Sequence, residues 1–120
     1  MKPQSAKQKG RKFQQDVRDM LLENAPELEP DDIRSTSMGC GGEDLQFSPA
    51  ARRRYPLSIE CKNQESGNVW KAYEQAGANS GNYTPIVVMK KNNHKPLVVI
   101  DAVEFVNIIE NVNGKKIIDK

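Results

Sequence analysis

With 120 residues, 37 % of them hydrophobic and 28 % charged, the chain is long enough for one domain of ordinary size and too short for two. The formal net charge is only +2, and the apolar residues fall in ordered runs at 85–89 and 97–100, which excludes a disordered polyelectrolyte. No stretch nears the roughly 18 consecutive apolar residues of a membrane span; no signal peptide opens the chain, and Cys40 and Cys61 stand too far apart for a Cys-x-x-Cys pair, so a cytoplasmic protein with no membrane partner is expected.

A first helix is expected from residue 5 or 9 to residue 24. Phe13, Val17, Met20 and Leu21 fall at i, i+4, i+7 and i+8, one apolar stripe, and Pro26 and Pro30 stop it. Before it lies a basic arm at 1–8. Residues 35–42, Ser-Thr-Ser-Met-Gly-Cys-Gly-Gly, read as a loop of small residues. A short strand at 43–48, a polar Arg-rich connection at 49–56 and a second strand at 57–62 follow, the two strands pairing as a hairpin. After a polar turn at 63–68 comes a shorter helix, 69–79, with Trp70 and Tyr73 at core spacing. Strands at 85–90 and 97–101 flank a turn at 91–96. A third helix spans 101–111, with Asp101 and Glu104 in a capping-box pattern and Phe105, Ile108, Ile109 and Val112 on its apolar face. Gly114 ends it, leaving a frayed tail at 114–120. The order α-β-β-α-β-β-α, with no repeat and no linker, makes residues 1–120 a single α/β domain.

The charge is unevenly spread. Residues 16–32 hold seven acids and one base, leaving 17 bases against nine acids elsewhere. The bases cluster at Lys2, Lys7, Lys9, Arg11 and Lys12, at Arg52, Arg53 and Arg54, and at Lys90, Lys91 and Lys95. A phosphate backbone is the partner that such clusters suit. The central strands carry the chemistry. A period of two puts Leu57, Ile59 and Cys61 on one face of the second strand and Ser58, Glu60 and Lys62 on the other. In the first, Leu45 and Phe47 share a face opposite Asp44 and Gln46. Neighbouring strands would therefore bring Asp44, Glu60 and Lys62 onto one patch. Two carboxylates within reach repel unless a cation sits between them, and hard oxygen ligands suit Mg²⁺, with Mn²⁺ as substitute. Cys61, on the core face, and His94, in a polar turn, are read as structural.

Gly42-Glu-Asp44-Leu followed by Ile59-Glu60-Cys61-Lys62 resembles the signature of the PD-(D/E)xK nuclease superfamily, an Asp on one strand and Glu-x-Lys on the next. The fuller pattern is similar to the archaeal and phage-encoded Holliday junction resolvases: Lys9-Gly10 opening helix one, an Arg-Ser loop of small residues from Arg34-Ser35 to Gly42, the two strands, then a helix bearing Gln75. It covers roughly residues 5–110. The resemblance implies a restriction-endonuclease-like domain with a central mixed sheet flanked by helices. It implies Asp44, Glu60 and the Cys61 carbonyl as Mg²⁺ ligands, Lys62 as the residue that orients or deprotonates water, and Gln75 near the scissile phosphate. Ser35 or Ser37 would hold a substrate phosphate, with Lys9, Arg11, Lys12 and Arg52–Arg54 on the DNA backbone; successive small residues also let backbone N–H groups point at an anion. The chain departs from the family at Gln14, where archaeal resolvases carry a Glu that completes the metal site, and at Glu43, where a Pro is usual.

The expected activity is metal-dependent cleavage of branched DNA in recombination and repair. It would leave 5′-phosphate and 3′-hydroxyl ends and be carried out by a two-fold homodimer on four-way junctions. The competing readings are a nicking or flap nuclease of the same superfamily and a DNA-binding module without activity.

Overall fold

The computed structural model describes residues 3–36 and 43–118, with side chains over 8–36 and 43–111. Helix α1 (Pro3–Glu23) opens the chain, so the segment expected to be an N-terminal arm is helical from Pro3 onward. Phe13 and Val17 are buried and Leu21 half-buried, while Met20 is 47 % exposed. At about 100° per residue the buried face is centred between Val17 and Leu21, which takes in Gln14 and Arg18 and leaves Met20 at the edge. Arg18 is tolerated there because its guanidinium donates to the Ile33 carbonyl at 2.6 Å and the Pro30 carbonyl at 2.7 Å, fastening α1 to the next element.

A 3-10 turn (Pro30–Asp32) leads into β1 (Ile33–Ser35), which pairs antiparallel with β2 (Leu45–Phe47), Ser35 opposite Leu45 and Ile33 opposite Phe47. The expected hairpin between 43–48 and 57–62 is therefore corrected: β2 has a different partner. Three-residue strands carry no periodicity to read, and the small-residue run hides where β1 stops. The connection at 49–56 is also not open chain. It forms α2 (Pro49–Arg54), capped by Ser48, whose Oγ accepts the Ala51 N–H at 3.1 Å, with Pro49 in the first turn where no N–H is required.

Strand β3 (Leu57–Asn63) pairs in parallel with β4 (Thr84–Lys90), the crossover being α3 (Val69–Ala78), and β5 (Leu97–Val99) pairs antiparallel with β4. The result is a mixed sheet in the order β3-β4-β5 beside a two-stranded one. Helix α4 (Ala102–Ile118) runs past Gly114, where its end was expected. Asp101 Oδ1 accepts the Val103 and Glu104 N–H groups at 2.8 and 3.1 Å, but Glu104 accepts the Thr84 hydroxyl at 2.9 Å instead of closing a capping box. The order α-β-β-α-β-α-β-β-α has one helix and one strand more than expected. The class is the expected one, α/β with a mixed sheet flanked by helices.

The core joins Phe13 and Val17 of α1 to Ile33, Leu45, Ala51, Ile59, Ile86 and Val88. On β3 this sends Ile59 and Cys61 toward α1 and turns Glu60 and Lys62 to the other face, under α3. Tyr73 anchors α3 through its hydroxyl, which donates to the Pro85 carbonyl at 2.8 Å. Trp70, expected at core spacing, is 79 % exposed. Among the described residues no helix is long and apolar enough to cross a membrane.

Candidate functional site

Asp44 sits one residue before β2 and ties the two sheets together. Its N–H donates to the Ile59 carbonyl at 3.1 Å, and its own carbonyl accepts the Thr36 N–H at 2.8 Å. Its side chain reaches further along β3, where Oδ2 accepts the Cys61 N–H at 2.7 Å. Asp44 thus meets the Glu-x-Lys strand without the hairpin that seemed to be needed for it.

Glu60 is 5 % exposed, and burial pushes its carboxyl above the usual carboxylate range. A hydrogen bond from Asn79 Nδ2 to Glu60 Oε1, 3.0 Å, opposes the rise; the neighbouring Asp44 adds to it, and Lys62 counters it. This is the electrostatic state of an acid lodged beside a second acid in a place that water hardly reaches. Asn79 is the residue that the sequence did not single out. Its only mark there is its place at the end of α3, and that C-cap position is what aims the amide at Glu60. Lys62, half-buried, donates from Nζ to Gln75 Oε1 at 3.4 Å. Both line a cavity of about 480 Å³ together with Gln64, Lys71 and Glu74. Asp44, Glu60, Cys61, Lys62 and Gln75 are therefore brought to one stretch of β3 and the helix that covers it. The Cys61 thiol, facing the core, is pushed up by burial and then by Asp44 and Glu60, so it stays protonated and is no nucleophile.

The donor set fits a hard cation of low protein coordination. Among the described residues there is no cluster of three or more His, Cys, Asp or Glu side chains, and the acids at the site are the pair Asp44 and Glu60. Mg²⁺ suits such a pair because it keeps most of its waters. The departure at position 14 is part of the interior: Gln14 is 5 % exposed, and its Oε1 accepts the Ser35 hydroxyl at 2.7 Å. Ser35 is thereby engaged with α1, one pairing position from Asp44. Ser37 and Cys40 lie outside the described residues.

The basic residues divide. Arg52, expected on DNA phosphate, is committed inside the fold: it pairs with Glu43, donates to the Leu57 carbonyl at 2.6 Å, and lies over the Phe47 and Tyr83 rings at 5.0 and 4.3 Å. That pairing turns Glu43 away from Asp44. Arg54 pairs with Glu27 at 2.9 Å and donates to the Asn24 carbonyl at 2.6 Å. Lys12 pairs with Asp16 at 3.1 Å, and Lys9 donates to Asn92 Oδ1 at 3.2 Å. Arg11 and Arg53 are exposed, as is His94 in its turn. No family model matches the sequence, and neither a curated protein nor a solved structure matches it.

Proposed function

We propose that the chain is a divalent-metal-dependent endonuclease of the PD-(D/E)xK kind that hydrolyses phosphodiester bonds in branched DNA. The observation that carries this reading is the 2.7 Å hydrogen bond from the Cys61 N–H to Asp44 Oδ2, which seats one carboxylate against the strand bearing Glu60 and Lys62. An acid kept at 5 % exposure beside another acid loses stability as a purely structural device, and a bound cation removes that disadvantage.

Asp44 and Glu60, with the Cys61 carbonyl, would hold the cation, which when bound supplies a Lewis acid and lowers the pKa of its water. Lys62 orients the attacking water and offsets charge as it grows on the phosphate oxygens, and Gln75 limits where its ammonium points. Asn79 fixes one oxygen of Glu60 so that the carboxylate does not rotate. Exposed Arg53 and Arg11, and Lys9 and Lys12 nearby on α1, supply cations for the DNA backbone.

A panel of labelled substrates in Mg²⁺ tests the reading: a four-way junction, a flap, a nicked duplex and a plain duplex. Preferred cutting of the junction, lost in Asp44→Asn, is the expected result. Preference for the flap or nicked duplex assigns a different branch specificity to the same site. Binding without any cutting in Mg²⁺ or Mn²⁺ would leave a DNA-binding module and overturn the enzymatic reading.

A further inference from the structure

Helix α4 is poorly covered by its own chain. Val103 is 68 % exposed, Phe105 53 % and Val106 52 %, and Ile108 and Ile109 are also well exposed. At about 100° per residue these five positions spread around most of the helix, and a helix apolar on most sides is one that something else buries. Its described side chains make one polar attachment to the rest of the fold, from Glu104 to Thr84. The Cα radius of gyration, 15.2 Å, exceeds the roughly 13.6 Å expected of a compact chain this long, and the long axis reaches 56 Å.

The apolar surface continues beyond α4. Leu97 and Val98 on β5 are 69 % and 58 % exposed, and β5 is the last strand of its sheet, so one of its edges is unpaired. Across a notch of about 320 Å³, lined by Val69, Tyr73, Val99 and Ala102, stands Trp70. We infer that this face, formed by α4, β5 and Trp70, is the interface with a second copy of this chain.

The area favours that occupant. Eight large apolar side chains at these exposures present on the order of 800 Å², one partner's share of a stable interface, and more than the largest patch of a typical monomer. Charge disfavours the others. From residue 97 to residue 111 the only charged side chains are Asp101, Glu104 and Glu110, so the face repels nucleic acid and lacks the cations that an anionic membrane would require. A second copy offers the same apolar helix in return, which a two-fold contact requires. The notch beside Trp70 has room for a large side chain from the other protomer. The inference holds whether or not the chain cuts DNA.

Sedimentation of the full chain over a dilution series tests it, with emission from Trp70, the single tryptophan, read on the same samples. The expected result is a dimer at about 10 μM whose dissociation on dilution is accompanied by a red shift of Trp70. Phe105→Asp should weaken association about 100-fold with the circular dichroism unchanged. A chain that stays monomeric at about 100 μM overturns the inference, as does a dimer whose dissociation leaves Trp70 emission unmoved. The fluorescence arm requires no variant to fold, and neither arm depends on cleavage.

Discussion

Glu60 holds its charge against its surroundings, and this gives the site a pH signature. Its folded carboxyl binds a proton more tightly than the unfolded one, so the folded state carries more protons between the two pKa values and stability falls as pH rises through that window. Glu60→Gln keeps an acceptor for Asn79 and removes the charge. Without divalent metal, the variant should melt above wild type at pH 7 to 8, the difference closing below about pH 4. Added Mg²⁺ should raise the wild-type melting temperature and leave the variant unmoved. Equal melting of the two proteins across that range would mean that Glu60 is not the strained acid described here. Gln14 offers the complementary test. Gln14→Glu places a third carboxylate in a buried position where Ser35 can still donate to it. It should lower stability by about 2 kcal/mol without metal and make the Mg²⁺-induced rise in melting temperature larger than in wild type. A Mg²⁺ response identical to wild type would separate Gln14 from the metal.

At the scale of elements, α2 shows why three consecutive arginines are not one patch. Successive helix positions point about 100° apart. Arg52 accordingly turns inward to Glu43, Arg54 reaches back to Glu27, and Arg53 faces solvent. Arg52→Ala should destabilise by about 3 kcal/mol, because it leaves the half-buried Glu43 without its cation. Arg53→Ala should change stability by less than about 0.5 kcal/mol yet lower the log–log salt slope of DNA binding by about 0.9 if it contacts one phosphate. Chemical denaturation and binding at several salt concentrations check the pair. The sequence showed the cluster but not its division, since the direction of each guanidinium depends on a one-turn helix that polar composition concealed. Ser48-Pro49 was the available sign of that helix. By contrast, the alternation in β3 was legible, because Ile59 and Cys61 do face the core and Glu60 and Lys62 the other side. The pairing of Asp44 with that strand was not legible: β2 joins β1, and only Asp44 itself crosses to β3. Asn79 was missed for the same reason, since a helix C-cap has a direction only once the helix is packed.

At the scale of the whole molecule, a sheet of three strands and a sheet of two meet at Asp44, and the candidate site lies at that seam on the face that α3 covers. The exposed apolar helix α4 stands apart from it, so association and catalysis can be altered separately: Phe105→Asp should leave Mg²⁺ binding unchanged, and Asp44→Asn should leave the oligomeric state unchanged. The central claim is that Asp44 acts with Glu60 in cleaving DNA. The most direct measurement is single-turnover cleavage of a labelled four-way junction in Mg²⁺ by wild type and Asp44→Asn, at protein concentrations that saturate binding of each. The account predicts a loss of roughly 100-fold or more in the cleavage rate with binding largely retained. Cleavage by the variant at the wild-type rate would contradict it.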